Sequence, residues 1–478
     1  MIISIPAMER QTTSSNSDHA GTRRPQVAII NSGYLPIPAV SGGAVESLVT
    51  MLIDDNDHTG ALDLTIFSIW TAEVERFVRD RQYRHTSVVL LKPPSPVTMA
   101  DRVIFRVATA AIRRRRTVTF RFLMQRLWFV DQVGRLLAAS EGRGRLRSSV
   151  ALPRFDRIVL EDHCSLFWAL KIHGNRRQFD GRVFLHLHSE THSCFGCNDE
   201  VHHSAKVLGV SQFVVDTMDR YLQDADGEGL PTSKRAVWRN GVDGARFRPA
   251  TTDERRLARA RFGLDESNVV LLFTGRLIPE KGAVHLVDAF ASMAPHVPEA
   301  VLLIAGEPFS MGDNTRDPVR KRLHEAIADH GLEDRVRFAG FVDYEDIHYL
   351  YHAADISVLP SIMEDPAPLT VIESLASGKP IITTNSGGIP EYVDEECAIL
   401  LQRDKDLTDR LAQSMIELAR NESRRMAMGQ AALLRGTTFN REYYAVQFGD
   451  LVGCPGISVV DEELNGHEKN DEHEERMR

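Results

Sequence analysis

Short apolar runs, each leading through a loop into a helical pattern, recur in two successions and constrain the fold of this chain. The first succession comprises VAIIN (27–31), LDLTIFSIW (62–70), SVVLL (87–91), RIVLED (157–162), VFLHLH (183–188) and AKVLGV (205–210). The second comprises VVLLFTG (269–275), AVLLIAG (300–306), VRFAGF (336–341), ISVLPS (356–361), PIITT (380–384) and AILL (398–401). This alternation is typical of α/β proteins with parallel, doubly wound sheets.

The length of the chain, 478 residues, exceeds what one ordinary core accommodates, so two domains are expected. The turn-rich segment VWRNGVDGARFRP (237–249) separates the two successions and resembles a crossing between domains. We predict the following parts: a flexible leader (1–24), an N-terminal domain (25–240), a C-terminal domain (241–435), a terminal helix (436–453) and a charged, disordered tail (454–478).

The composition excludes several classes of protein. A formal net charge of −9 argues against general affinity for nucleic acid, and no apolar run approaches the roughly 18 residues that a membrane span needs. The apolar core of the first 24 residues is too short for a signal peptide. Five cysteines without framework spacing indicate a reducing compartment, so the cytoplasm is the predicted location.

The loop GRLIPEKG (275–282), directly after an apolar run, has the residue types that bind a diphosphate. Arg276 can donate two hydrogen bonds to phosphate oxygens, and Lys281 supplies a compact positive charge. Gly282 lets the backbone approach an anion at the start of the next helix, where the helix dipole also favours negative charge. We therefore predict an anion site in this loop.

The stretch from 335 to 393 supplies the carboxylates that would bind hydroxyl groups. Asp365 and Glu373 are eight residues apart, which fits a loop acid followed by a second acid inside the helix that the loop enters. Glu364, beside Asp365, could take its role instead. In the turn PAPLT between the acids, prolines lack an N–H, so the backbone donors are Ala367, Leu369 and Thr370.

The first half offers two further candidates. Gly42 and Gly43 precede a helical pattern and would allow close approach to an anion, although a simple tight turn is the alternative. His188 ends an apolar run, where a substrate contact is expected.

Cys194 and Cys197, with His192, His202 and His203 nearby, suggest structural zinc. However, the spacing lacks a second ligand pair, and surface histidines are the preferred interpretation.

The region 101–130 is helical, basic and rich in aromatic residues, with four consecutive arginines, Arg113 to Arg116. Such a helix can bind to the surface of an anionic membrane. The alternative is a solvated charged face over an ordinary core stripe.

Taken together, these motifs resemble the retaining GT-B glycosyltransferases of the large family that includes sucrose synthase and many bacterial cell-surface enzymes. The resemblance rests on GRLIPEKG, the D-x7-E spacing from Asp365 to Glu373, and TNSGGIPE (384–391). It is strong over 269–393 and looser over 27–240. It implies two Rossmann-like domains facing each other across a cleft.

By this resemblance, Arg276 and Lys281 would bind the donor diphosphate and Glu373 the ribose hydroxyls. Asp365 would contact the transferred sugar, Gly42 and Gly43 would approach the phosphates, and His188 would lie near the sugar. The resemblance implies no required metal and no cofactor beyond a nucleoside-diphosphate sugar. The chain departs from the family pattern where Asp365 replaces the usual glutamate and where Ala367-Pro368 replaces Phe-Gly.

We therefore expect a retaining glycosyltransferase that acts on a glycan or glycolipid acceptor in cell-envelope or exopolysaccharide biosynthesis, in the cytoplasm or at the inner face of the membrane. Two alternatives stay open. One is a phosphorylase or epimerase with the same fold. The other is a non-catalytic subunit that binds a nucleotide sugar.

Overall fold

A computed structural model describes residues 1–8, 23–40, 42–111, 121–143, 151–307 and 317–454. Two parallel sheets dominate the described chain. The strands of the first sheet are β1 (Ile2–Ile5), β2 (Gln26–Ile30), β3 (Asp63–Ile69), β4 (Thr86–Leu91), β5 (Arg157–Glu161), β6 (Val183–Leu187), β7 (Lys206–Gly209) and β8 (Arg235–Val237). Those of the second are β9 (Val269–Thr274), β10 (Ala300–Ala305), β11 (Val336–Gly340), β12 (Ile356–Leu359), β13 (Ile381–Thr384) and β14 (Ala398–Leu401).

The strand order of both sheets reverses at one point. The first sheet runs β1-β4-β3-β2-β5-β6-β7-β8 and the second β11-β10-β9-β12-β13-β14. All pairs are parallel except β1 with β4. The order reverses between β2 and β5 and between β9 and β12, and open α/β sheets bind ligands at such switch points. The predicted doubly wound sheets are thus confirmed.

Helices connect the strands of each half. In the first half they are α1 (Ala44–Thr59), α2 (Ala72–Arg81), α3 (Ser95–Ala111), α4 (Leu123–Ser140), α5 (Trp168–Lys171), α6 (Asn198–His202) and α7 (Gln212–Asp226). In the second they are α8 (Thr252–Arg261), α9 (Ala283–Met293), α10 (Pro318–Asp329), α11 (His348–Ala353), α12 (Leu369–Ala376), α13 (Leu407–Arg420), α14 (Glu422–Gly436) and α15 (Arg441–Leu451).

Burial explains why the positions of the strands can be predicted from the sequence. The side chains of β2, β4 and β10 are buried throughout, because helices cover the sheets and leave little of these strands in contact with water. Local signals also set the helix starts. Ser211 caps α7, and a reciprocal capping box between Thr251 and Glu254 begins α8.

The prediction of a flexible leader is wrong for the first residues of the chain. Ile2–Ile5 forms β1, which pairs antiparallel with β4 in the register Ile2 to Leu91 and Ile5 to Val88. The isoleucine-rich strand covers the edge of β4, which would otherwise present unpaired backbone groups. Residues 9–22 of the leader and 455–478 of the tail lie outside the described residues.

The last helix, α15, returns to the first half of the chain. It packs against α1, and Tyr444, Ala445 and Phe448 join the buried cluster formed by β2, β3 and β4. The chain therefore crosses between the two halves twice, once before α8 and once before α15.

Candidate active site

The loop after β9 lies directly against the loop after β12. Gly282 adopts φ +73°, and a Cβ at this position would collide with the carbonyl oxygen of Pro360. The carbonyl oxygen of Glu280 accepts a hydrogen bond from the N–H of Ile362 at 2.9 Å. The sequence GRLIPEKG thus needs its second glycine for close packing, and this packing aligns the cationic loop with the acidic one.

Lys281 and Asp365 form a direct ion pair between the two loops. The Lys281 ammonium donates to Asp365 Oδ2, which also accepts from the Ser361 hydroxyl at 3.2 Å. Both side chains are largely buried, with 13% and 5% of their surface exposed. Arg276 lies on the same loop and is exposed. A paired lysine and aspartate at the switch point of the second sheet is the centre of the candidate site.

Glu364, the competing acid, faces elsewhere. Its carboxylate accepts from the guanidinium of Arg403 and from the N–H of Gly387 at 2.6 Å. Burial alone would raise the pKa of Glu364, but these two hydrogen bonds lower it below its usual value. Of the two neighbouring acids, Asp365 is therefore the one that contacts the cationic loop.

Gly387 and Gly388 of the motif SGGIPE hold this acidic loop in place. A Cβ at Gly387 would collide with the backbone of Asp365, and one at Gly388 with the carbonyl oxygen of Pro366. The N–H of Asp365 donates to Ser386 Oγ at 3.1 Å. The spacing of the motif thus serves to position Asp365.

Glu373 lies in the second turn of α12 and is 5% exposed. Its Oε2 accepts from the Tyr351 hydroxyl at 2.7 Å, and burial raises its pKa to about 7. The Tyr351 hydroxyl lies 3.1 Å from Thr274 Oγ1, which in turn donates to Thr370 Oγ1 at 3.0 Å. This polar network ties α12 to the end of β9.

Glu373 also borders a small cavity between the two halves of the chain. Leu369 lines the same cavity, together with Ser47, Leu48 and Met51 of α1. The carbonyl oxygen of Ala367 accepts from Asn240 Nδ2 at 3.0 Å. The predicted contacts Ala367, Leu369 and Glu373 therefore face the N-terminal half.

Gly42 and Gly43 directly precede α1, with φ +74° and φ +112°. A Cβ at Gly43 would collide with the carboxylate of Glu46 in the first turn of the helix. Glu46 is 6% exposed, and burial raises its pKa to about 7. The sequence prediction missed Glu46, although an acid among the apolar residues of a helix start was a signal that could have found it.

His188 lies just after β6 in a buried cluster with Glu161 and His186. Its Nε2 is 3.2 Å from Glu161 Oε2, and its backbone N–H donates to Asp162 Oδ1 at 3.2 Å. Only 9% of its side-chain surface is exposed. The strand end was predicted as a site, whereas Glu161 was not predicted as the partner of His188.

The zinc alternative at Cys194 and Cys197 is not supported. Cys194 Sγ lies 3.6 Å from Cys164 Sγ in the core, whereas Cys197 Sγ faces the carbonyl oxygen of Phe195. Over the residues that the structure covers, the one group of three metal-ligating side chains is Glu161, His186 and His188.

Direct contacts join the two halves beside the site. The carboxylate of Glu391 accepts from the N–H groups of Gln212 and Phe213, at 2.7 and 2.9 Å, in the first turn of α7. A Cβ at Gly388 would collide with the Ser211 hydroxyl. The tyrosine hydroxyl of Tyr392 donates to the carbonyl oxygen of Val210. The motif SGGIPE therefore contacts both halves.

Residues 254–435 match the family model described as "Glycosyl transferases group 1". Mannosylfructose-phosphate synthase of Agrobacterium fabrum is 40% identical over 149 residues, which is 31% of this chain and 32% of that protein. Lipopolysaccharide 1,2-N-acetylglucosaminetransferase of Salmonella typhimurium is 24% identical over 52% of this chain and 59% of that protein. The chain thus matches between about a third and three fifths of the length of these relatives.

Solved structures match over most of the chain. Anabaena HepE, in complex with UDP and glucose, has a TM-score of 0.64 at 18% identity and covers 90% of this chain and 100% of its own. WaaG, a glycosyltransferase involved in lipopolysaccharide biosynthesis, has a TM-score of 0.57 at 13% identity over 89% and 99%. The predicted GT-B fold is thereby confirmed. The chain therefore carries a glycosyl transferases group 1 domain within a GT-B fold.

Proposed function

We propose that this protein is a retaining glycosyltransferase that moves a sugar from a nucleoside-diphosphate sugar to a glycan or glycolipid acceptor of the cell envelope or an exopolysaccharide. The observation that carries the proposal is the pairing of Lys281 with Asp365. Lys281 lies on the loop that also bears Arg276. The match to the glycosyl transferases group 1 model and the UDP bound to Anabaena HepE support it.

The leaving group of such a transfer is an anionic diphosphate. Arg276 and Lys281 would meet the charge that develops on it, together with the N-terminus of α9. Because these cations would neutralise the diphosphate in place of a divalent ion, the transfer should proceed without added Mg²⁺ or Mn²⁺. When the donor diphosphate binds Lys281 in place of Asp365, the carboxylate of Asp365 would accept hydrogen bonds from the hydroxyls of the transferred sugar.

Glu373 would bind the ribose of the donor, because it borders the cavity between the halves and its ionised carboxylate could accept two hydroxyls. A front-face transfer needs no enzyme nucleophile and retains the configuration at the anomeric carbon. Analysis of the anomeric configuration of the product by NMR tests this directly, and an inverted product would contradict it.

The proposal is tested by a screen of nucleotide sugars for thermal stabilisation and transfer, with Arg276→Ala and Lys281→Ala beside the wild type. Loss of one charge-assisted contact to phosphate is worth about 1.5–3 kcal/mol, so each variant should lose at least about tenfold in kcat/KM. Lys405→Ala removes an exposed lysine of the same half and is the matched control. Full transfer by a variant that carries both Arg276→Ala and Lys281→Ala would disprove the assignment, and turnover without an acceptor would favour a phosphorylase or epimerase.

A further inference from the structure

Three ligating atoms meet at the ends of two neighbouring strands of the first sheet. Glu161 Oε2 lies 3.0 Å from His186 Nδ1 and 3.2 Å from His188 Nε2, and the two nitrogens are 3.1 Å apart. Glu161 and His186 are paired in the register of β5 and β6. The exposed fraction of the three side chains is 1%, 0% and 9%. The strand pairing thus places Glu161 beside His186, and His188 follows just after the strand end, so that the three groups meet in a buried place.

Hydrogen bonds alone do not explain this arrangement. The three distances are nearly equal, so the atoms form a nearly equilateral triangle, and one N–H cannot point straight at both of the other atoms, although a hydrogen bond prefers a donor–hydrogen–acceptor angle above about 150°. If both nitrogens carry hydrogens toward Glu161, the two hydrogens crowd each other. If only one does, a lone pair of the other histidine faces the carboxylate. Every assignment of protons leaves one repulsive contact inside the core.

A metal ion removes that conflict, because it draws three lone pairs to one point. A triangle with these sides has its centre about 1.8 Å from each corner, so an ion about 2.1 Å from each ligand would lie about 1.1 Å above its plane. Among the described residues, Glu161 Oε1 is buried without a hydrogen-bond partner. This second oxygen is available for bidentate coordination.

We propose that Glu161, His186 and His188 bind a divalent transition-metal ion of the zinc class. Two imidazole nitrogens and a carboxylate suit zinc, whereas calcium and magnesium prefer oxygen ligands alone. The ring of His186 is fixed by stacking on Trp238, with centroids 4.3 Å apart. The ion would join the ends of β5 and β6 and hold His188 in place. These three residues are not among those proposed to bind the diphosphate, and the inference does not depend on the proposed transfer reaction.

The first test is the metal content of untagged full-length protein, measured by mass spectrometry after exhaustive dialysis. Wild type should carry about one equivalent of zinc, or another first-row divalent metal, per chain. His186→Phe keeps a ring against Trp238 but removes a ligand, and Glu161→Gln removes the anionic ligand, so both should lose most of the metal. His192→Ala, which removes a histidine with 83% of its side-chain surface exposed, should retain it. Wild-type content no higher than that of His186→Phe would overturn the proposal.

Cobalt substitution gives a second readout that does not involve activity. Wild type stripped with dipicolinate and refilled with Co²⁺ should develop visible absorption of a low-coordinate site, and His186→Phe should not. Absence of this absorption in the folded wild type, established by circular dichroism, would also overturn the site. Failure of nucleotide-sugar transfer would leave both metal measurements unaffected, so the two proposals fail independently.

Discussion

Glu373 is a buried acid whose protonation is coupled to stability. Burial raises its pKa from 4.5 to about 7, so the folded protein holds a proton there that the unfolded chain releases near pH 4.5. A group with a raised pKa stabilises the fold fully below its unfolded pKa, and that contribution is lost as the pH rises through its folded value. Between about pH 4.5 and 7, the contribution of Glu373 to the free energy of unfolding therefore falls progressively.

We expect Glu373→Gln to be more stable than the wild type at pH 8 by about 1–3 kcal/mol, and close to it at pH 5. Unfolding midpoints at the two pH values measure the difference. Glu395→Gln, which replaces an exposed acid of the same half, is the control and should show no such pH dependence. The same Glu373→Gln variant should bind the nucleotide donor more weakly, because an amide oxygen is a poorer acceptor than a carboxylate. Equal shifts at pH 5 and pH 8 would contradict the account.

At the residue scale, the sequence predicted the charged motif residues better than their partners. Lys281 and Asp365, both predicted as site residues, lie in contact, since both follow strands that flank the switch point of one sheet. The Tyr351 hydroxyl on Glu373, and the Glu161 carboxylate beside His188, were not foreseen. Such partners depend on which helix or strand packs alongside, and no local spacing encodes that.

At the scale of elements, the strands were predictable because parallel strands under helices are continuous apolar runs. The exceptions are short or at an edge: β1 lay in the predicted leader, and β8 is three half-buried residues, RAV. Neither has a long apolar run or clear alternation, so neighbouring strands rather than local preference define them.

Gly282 determines how the cationic loop enters α9. Its left-handed backbone and its contact with Pro360 exclude a side chain. Gly282→Ala should therefore lower the free energy of unfolding by about 1–3 kcal/mol. It should also weaken donor binding, because a displaced loop would shift the ammonium group of Lys281. Gly244→Ala, where a Cβ would have open space, is the matched control for both measurements. Identical melting and donor affinity of the two variants would show that the loop tolerates a Cβ.

Helix α3 presents an apolar row to solvent. Met99, Val103 and Val107 recur every four residues and are 63%, 54% and 62% exposed, with Arg102 and Arg106 exposed beside them. In the described part of the chain, no helix is both long enough and apolar enough to cross a membrane. Arg113 to Arg116 lie outside the described residues. We propose that this row, with Arg102 and Arg106 beside it, contacts an anionic membrane.

Sedimentation with phosphatidylglycerol vesicles tests this proposal. Replacing Met99, Val103 and Val107 by serine should reduce binding at least about tenfold, since each buried apolar side chain contributes about 1.5–3 kcal/mol. Leu434→Ser, which replaces a residue of the C-terminal half that is 73% exposed, is the control and should bind like the wild type. Equal sedimentation of all three proteins would refute the membrane contact.

At the scale of the whole molecule, Glu391 joins the two halves. Its carboxylate is the acceptor for two N–H groups at the start of α7, where the helix dipole also favours a negative charge. Glu391→Gln should weaken this contact by about 0.5–2 kcal/mol and favour separation of the halves. We expect a larger radius of gyration in small-angle scattering without donor, and a higher KM for the donor. Glu395→Gln serves again as the control, and an unchanged radius together with an unchanged KM would contradict the prediction.

The return of α15 to the first half has a consequence for biosynthesis. Trp238 Nε1 donates to the carbonyl oxygen of Tyr444, 206 residues further along the chain, and the indole stacks on the ring of Tyr444 with centroids 4.5 Å apart. A ribosome delivers the first half long before these residues exist, although domains generally fold as they emerge. The apolar surface against which Tyr444 and Phe448 pack is therefore exposed to solvent while the second half is translated. The first domain to be synthesised is the last to be completed, and the nascent chain should need chaperone protection over that interval.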